Sequence, residues 1–299
     1  MLSHISIHSK VNRKMFIRRK FNLKELSIKN IIIYLSIILS IILSIIFLSI
    51  PQKSLSEIFD SSKENNPNRL SGYHFLSNET RELQDDKFLN PGMFFVEKGR
   101  EIWFRIDGDK NLSCASCHNN AEETMIGVAA HYPKFDEDKG SIINLELLIN
   151  EMRNKYMNAE PYKYESDEML SLTAFITYQS HGYPIEVSIN GPSLKFFNEG
   201  KDFYFKRRGQ LNLACNQCHD KLVGEKIRGD TISQGQIDDF PIFRLMWQSL
   251  ASRHRMFSWC NSALRAEPFE LGSEEYLNLE LYIAWRGRGL SVQSPGVRR

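Results

Sequence analysis

Two five-residue stretches carry the most specific chemistry in the chain. Cys114-Ala115-Ser116-Cys117-His118 and Cys215-Asn216-Gln217-Cys218-His219 both read Cys-x-x-Cys-His. Two thiols three positions apart reach the two vinyl groups of one haem, and the adjacent histidine offers an axial nitrogen to its iron. A thioredoxin-type redox pair or half of a zinc site is the bland alternative. Neither requires a histidine after the second cysteine twice over. The spacing predicts two covalently bound haem c groups, anchored by Cys114 and Cys117 and by Cys215 and Cys218, with His118 and His219 as proximal ligands. Four of the five cysteines are then used. Cys260 is left over, either an inert buried thiol or a reactive or metal-ligating one.

The elements around these motifs repeat. Gly99, Phe104, Asn111, Leu112, Cys114, Cys117 and His118 recur 101 residues later as Gly200, Phe205, Asn212, Leu213, Cys215, Cys218 and His219. Ala159-Glu160-Pro161-Tyr162 recurs 107 residues later as Ala266-Glu267-Pro268-Phe269, and that register runs on through Gly182 and Gly289. A repeated motif means a repeated structural unit. Each unit closes with a helix: Ser166 and Ser273 stand at N-cap positions before the acids Asp167-Glu168 and Glu274-Glu275. Apolar residues follow at helical spacing, and Gly182 and Gly289 suit a left-handed stop. Helices around haem with few strand signals predict an all-α fold of two tandem cytochrome c-like domains, over residues 86–184 and 185–299.

A six-coordinate haem needs a second axial group from the stretch between its motif and the closing helix. With Ala-Glu-Pro as a ruler, Cys260 lies seven residues before Glu267, and Met152 lies eight before Glu160. Met152 on an expected helix Leu145–Tyr156 is the first-haem candidate, with Met125 and His131 as competitors. His181 and His254 read as surface or supporting residues. Thioether ligation raises an iron's potential and thiolate ligation lowers it. The second haem then reads as a site for sulfur chemistry and the first as an electron relay.

Residues 1–50 carry eight basic residues against one acid, so a total charge of +2 leaves residues 51–299 at −5. A nucleic-acid binder would carry its positive charge on the folded part, which is acidic here. Residues 31–50 have no charge and suffice, as a helix of about 30 Å, to cross a bilayer. All flanking basic residues precede that run, which predicts export to the periplasm through a signal peptide or a retained anchor. Residues 51–85 are polar and read as a linker.

The stretch Arg253-His254-Arg255-Met256-Phe257-Ser258-Trp259-Cys260-Asn261, with Arg265-Ala266-Glu267-Pro268-Phe269 and Gly272-Ser273-Glu274-Glu275-Tyr276 beyond it, resembles the SoxA subunits of thiosulfate-oxidising SoxAX cytochromes. The likeness spans about residues 85–299 and includes Phe240-Pro241-Ile242 and both haem motifs. It implies an L-cysteine S-thiosulfotransferase that conjugates thiosulfate oxidatively to a cysteine of the SoxYZ carrier. Electrons would leave through haem to a SoxX cytochrome. It implies further that Cys260 ligates the second haem and acts as the catalytic residue, bearing a persulfide. Met152 stands where diheme members commonly have a second cysteine ligand. The substrate-binding arginine expected four positions before the catalytic cysteine falls on Met256, which leaves its neighbour Arg255, or Arg253, for that role. The rival class is a diheme electron-transfer or peroxidase-like cytochrome without sulfur transfer.

Overall fold

A computed structural model describes residue 33, residues 35–41 and residues 68–299. The chain divides into units 1–52 and 53–299. In the first, residues 35–41 are helical and exposed. Most of the run 31–50, with the basic segment before it, lies outside the described residues. No helix among the described residues is long and apolar enough to cross a membrane.

The second unit contains ten α-helices among the described residues: α1 (Asn78–Asp85), α2 (Gly92–Phe104), α3 (Cys114–His118), α4 (Ala121–Thr124), α5 (Leu145–Met152), α6 (Asp167–Tyr178), α7 (Ser193–Phe205), α8 (Cys215–His219), α9 (Arg253–Ala263) and α10 (Glu274–Arg286). Seven short strands interrupt them: β1 (Lys134–Asp136), β2 (Ser141–Ile143), β3 (Lys226–Ile227), β4 (Asp230–Thr231), β5 (Ile242–Arg244), β6 (Ser249–Ala251) and β7 (Gly296–Arg298). β1 and β2 form one antiparallel hairpin, and β3 and β4 another. β5 pairs antiparallel with β6 and parallel with β7.

The repeat is structural. In each lobe the helix before the haem motif crosses the closing helix, α2 on α6 and α7 on α10. A Cβ on Gly99 would stand 2.1 Å from the Ser171 carbonyl oxygen, and one on Gly200 would stand 1.9 Å from that of Asn278. Only glycine lets the helices approach so closely at these points. Leu170, Leu172 and Phe175 on α6, and Tyr276, Leu279 and Leu281 on α10, are buried in the resulting cores. Gly182 and Gly289 take the left-handed φ of 83° expected of them. Ser166 caps α6, its hydroxyl accepting from the Met169 N–H at 3.3 Å. Ser273 occupies the same place on α10, but its hydroxyl makes no capping bond and is buried without a partner.

Besides the three small sheets, which the all-α expectation omitted, two features depart from the expected plan. The lobes exchange parts: Phe243 and Leu250 of the β5–β6 hairpin pack in the first lobe's core, while Ala130 and Ile142 of the first lobe pack in the second's. The two cores are thus mutually completed. Residues 68–85, expected to be linker, are ordered. Ser77 caps α1, and the Gln84 side chain accepts the Val297 N–H at 2.9 Å, so this segment covers an edge of the C-terminal strand β7. Its polar side chains bond to backbone at the far end of the chain, which composition alone does not reveal.

Candidate haem and sulfur site

Each Cys-x-x-Cys-His stretch forms a single helical turn, α3 or α8, entered from an extended residue, Ser113 or Ala214. Ser113 caps α3 through its hydroxyl, and Gln217 reaches back to the Ala214 N–H at 2.8 Å. This turn sets the two cysteines of a motif on one side, as bonding to one porphyrin requires. No disulfide joins any of the five cysteines.

The second lobe holds His219 firmly. His219 Nδ1–H donates to the Ser233 carbonyl at 2.8 Å, which leaves Nε2 with the lone pair that an iron takes. Burial lowers the His219 pKa and keeps the ring neutral. The next residue, Asp220, accepts from Arg286 at 2.5 Å and from the Tyr204 hydroxyl at 2.7 Å. Tautomer and orientation are therefore fixed from behind, and these residues fit a haem c. In the first lobe His118 is exposed, its ring 5.9 Å from that of Trp103. Trp103, the counterpart of Tyr204, donates to the Asn119 carbonyl at 2.9 Å.

Cys260 lies in the last turn of α9, half-buried. Burial pushes its thiol up to about 11 and that of Cys215 up to about 12; nearby, Cys218 raises Cys260 further and Cys260 raises Cys215. A buried thiol of this kind ionises only beside a cation, and a coordinating metal deprotonates one outright.

Met152 is the structural counterpart of Cys260. From the prolines Pro133 and Pro241, through both hairpins, to the caps Asn144 and Ser252, the lobes superpose at an offset of 108 residues. That offset carries Cys260 onto Met152. The later offset of 107 begins after a π-helical turn, Arg153–Met157, which absorbs one extra residue in the first lobe. The Ala159 N–H accordingly bonds to the Arg153 carbonyl, six back, where the Ala266 N–H bonds to the Asn261 carbonyl, five back. The expected helix Leu145–Tyr156 is in fact α5 followed by this wider turn. Of the competitors, Met125 is packed with Cys114 against the first core. His131 is exposed, its ring Nδ1–H donating to the Glu186 carbonyl at 3.1 Å.

The expected arginines separate. Arg253 is buried and pairs with Glu280 at 3.1 Å. Glu280 also accepts from His254 at 2.9 Å and from Asn144 at 2.9 Å. The Gly272 N–H donates to His254 Nδ1, so the proton of the neutral ring sits on Nε2. His254 is therefore fully enclosed between the lobes' elements, and His181 is exposed. Glu146 lies in the same cluster, raised to about 7 by burial and by the nearby Glu280 charge. Arg255 donates to Ser249 Oγ at 3.2 Å and stacks on Trp247 at 4.3 Å, with Glu165 3.9 Å away. One arginine that sequence reasoning passed over, Arg244 at the end of β5, acts electrostatically on Cys260 and lowers its pKa. Its distance of 16 positions from Cys260 hid it; only the hairpin brings it back.

Comparisons agree with this geometry. The SoxA/TsdA cytochrome c domain model matches residues 98–185. The chain is 43% identical over 231 residues to the L-cysteine S-thiosulfotransferase subunit SoxA of Pseudaminobacter salicylatoxidans, covering 77% of this chain and 81% of the relative. Identity to the SoxA of Rhodovulum sulfidophilum is 40%, over 76% of this chain and 79% of that protein. The crystal structure of SoxXA from P. pantotrophus superposes with a TM-score of 0.74 at 39% identity, covering 77% of this chain and 86% of that one. Fold and motif define a c-type cytochrome that binds haem c covalently. Within that class, the chain belongs to the SoxA family.

Proposed function

We propose that this chain is the catalytic subunit of an L-cysteine S-thiosulfotransferase, working in the periplasm with a SoxX cytochrome and presenting Cys260 to the SoxYZ carrier. It carries two haem c groups in tandem cytochrome c-like domains, one held by Cys114, Cys117, His118 and Met152, the other by Cys215, Cys218, His219 and Cys260. The observation that carries this reading is Cys260 in the last turn of α9, at the position matched by Met152 in the first lobe and within electrostatic reach of Cys215 and Cys218. When bound, haem supplies the one-electron acceptor chemistry by which two electrons leave for the partner cytochrome.

The work of the chain's own residues follows. Arg255, part-exposed in the first turn of α9, attracts the thiosulfate dianion. The outer sulfur of thiosulfate joins the sulfur on Cys260, forming one S–S bond with loss of two electrons. The carrier's thiolate then attacks that outer sulfur, breaking its bond to the Cys260 sulfur, in a step akin to thiol–disulfide exchange. Carrier thiolate and thiosulfate have become carrier S-thiosulfonate plus two electrons, and Cys260 is restored.

Replacing Cys260 by Ala is expected to abolish conjugation to the carrier while leaving both haems attached, measured by mass and by reduction of the partner cytochrome. Undiminished turnover in that variant would return the chain to the electron-transfer class.

A further inference from the structure

Arg244 has the burial and the contacts of a ligand-binding residue. It ends β5 with its side chain only 9% exposed. Its guanidinium lies over two rings, 5.2 Å from the centroid of Trp259 and 5.4 Å from that of Trp247. Trp259 directly precedes Cys260 in the same helix, α9. The two indoles meet edge to face at 6.3 Å, and Arg255 stacks on Trp247 from its own side. Arg244, Trp247, Trp259 and Arg255 thus form one cationic wall, joined through Trp259 to the helical turn that carries Cys260.

What Arg244 lacks is a proper acceptor. Its Nε is buried with no hydrogen-bond partner. One terminal nitrogen meets the Met246 sulfur at 3.2 Å, a weak acceptor. The nearest carboxylate, Asp230 on β4, stands 3.9 Å away, beyond hydrogen-bond distance. A buried guanidinium normally finds a bidentate carboxylate or phosphate, because leaving its donors unmet is costly. Arg286, Arg253 and Arg153 in this molecule each pair with a carboxylate at 3.1 Å or less. Arg244 is held in place by aromatic faces with its donors open, as a site for a tetrahedral oxyanion requires.

We propose that Arg244 binds the sulfonate end of thiosulfate, aiming the outer sulfur at Cys260, with Arg255 as the outer cation that gathers the anion. The proposal rests on the thiosulfotransferase reading and adds the residue that fixes substrate orientation. A haem propionate offers the same anionic chemistry, and the test separates the two.

The holoprotein in complex with its partner cytochrome, free of carrier, is titrated with thiosulfate by calorimetry. Arg244→Gln is expected to weaken binding about 10- to 100-fold. Haem content and the electron paramagnetic resonance spectrum of the second haem should be unchanged. Arg244→Lys should recover part of the affinity, since it restores charge but not the fork. Asp230→Asn, which removes the competing carboxylate and leaves Arg244 in place, should tighten binding severalfold. Thiosulfate affinity within twofold of wild type in Arg244→Gln overturns the proposal. So does loss of affinity accompanied by loss of haem or an altered haem spectrum, which would assign Arg244 to a propionate. If Arg244→Gln does not fold, unchanged affinity in both Arg244→Lys and Asp230→Asn overturns it. Each outcome is independent of Cys260→Ala, on which the parent reading stands.

Discussion

The two lobes share a scaffold and differ where chemistry would occur. At superposed positions the first has Met152 and the second Cys260. The first leaves His118 exposed, whereas the second locks His219 through Ser233, Asp220 and Arg286. The second lobe stacks Arg244 on Trp259, the residue before Cys260 in α9, and Arg255 on Trp247. A duplicated fold has therefore been specialised by a few side chains. A thioether would suit passing electrons, while a thiolate with flanking cations would suit handling anionic sulfur. Even the single extra residue of the first lobe is confined to one π-helical turn beyond Met152, so the match of Met152 with Cys260 is preserved.

Exchanging the distal residues should reverse this contrast most strongly. Met152→Cys is expected to lower the first haem's potential, and Cys260→Met to raise the second's, each by on the order of 100 mV or more in redox titrations. Cys260→Met should also abolish conjugation, and Met152→Cys should not create a second conjugating site. Unmoved potentials would remove Met152 from the first haem.

The helix crossings provide a smaller effect. Gly200→Ala is expected to destabilise the second lobe by about 3 kcal/mol, because the Asn278 carbonyl must move aside. Gly99→Ala should cost about the same. Since the lobes complete each other's cores, either substitution is expected to lower a single thermal transition rather than split it, a result calorimetry will read.

The smallest effect concerns the buried cluster between the lobes. The folded-state pKa of Glu146 is raised to about 7 from an ordinary 4.5. Between these values the folded protein binds more protons than the unfolded one, so stability falls as pH rises from about 4.5 and levels above about 7. Glu146→Gln should remove that slope and stabilise the protein at pH 8 by on the order of 2 kcal/mol. Denaturant melts across pH check it, and an unchanged slope would assign the effect to other groups.

Much of this was legible in the sequence because local spacing carries it. The motif turns, the closing helices, the stops at Gly182 and Gly289, and the pairing of Met152 with Cys260 all depend on neighbours in the chain. The one-residue disagreement between the two Ala-Glu-Pro rulers was itself a trace of the π-helical turn. Tertiary contacts were not legible. Arg244 reaches Cys260 only because a hairpin folds back, Phe243 fills the other lobe's core, and Gln84 captures a strand more than two hundred residues away. No periodicity records such meetings. Ser273 and Ser166 look alike in sequence, yet only Ser166 caps, since a hydroxyl's direction depends on what surrounds it.

Low-temperature electron paramagnetic resonance of the oxidised holoprotein tests the central distinction most directly. A low-spin species with the g-values of histidine–thiolate ligation, lost in Cys260→Ala and retained in Met152→Ala, is the expected result. A spectrum containing no thiolate-ligated species, or one untouched by removing Cys260, would contradict the account.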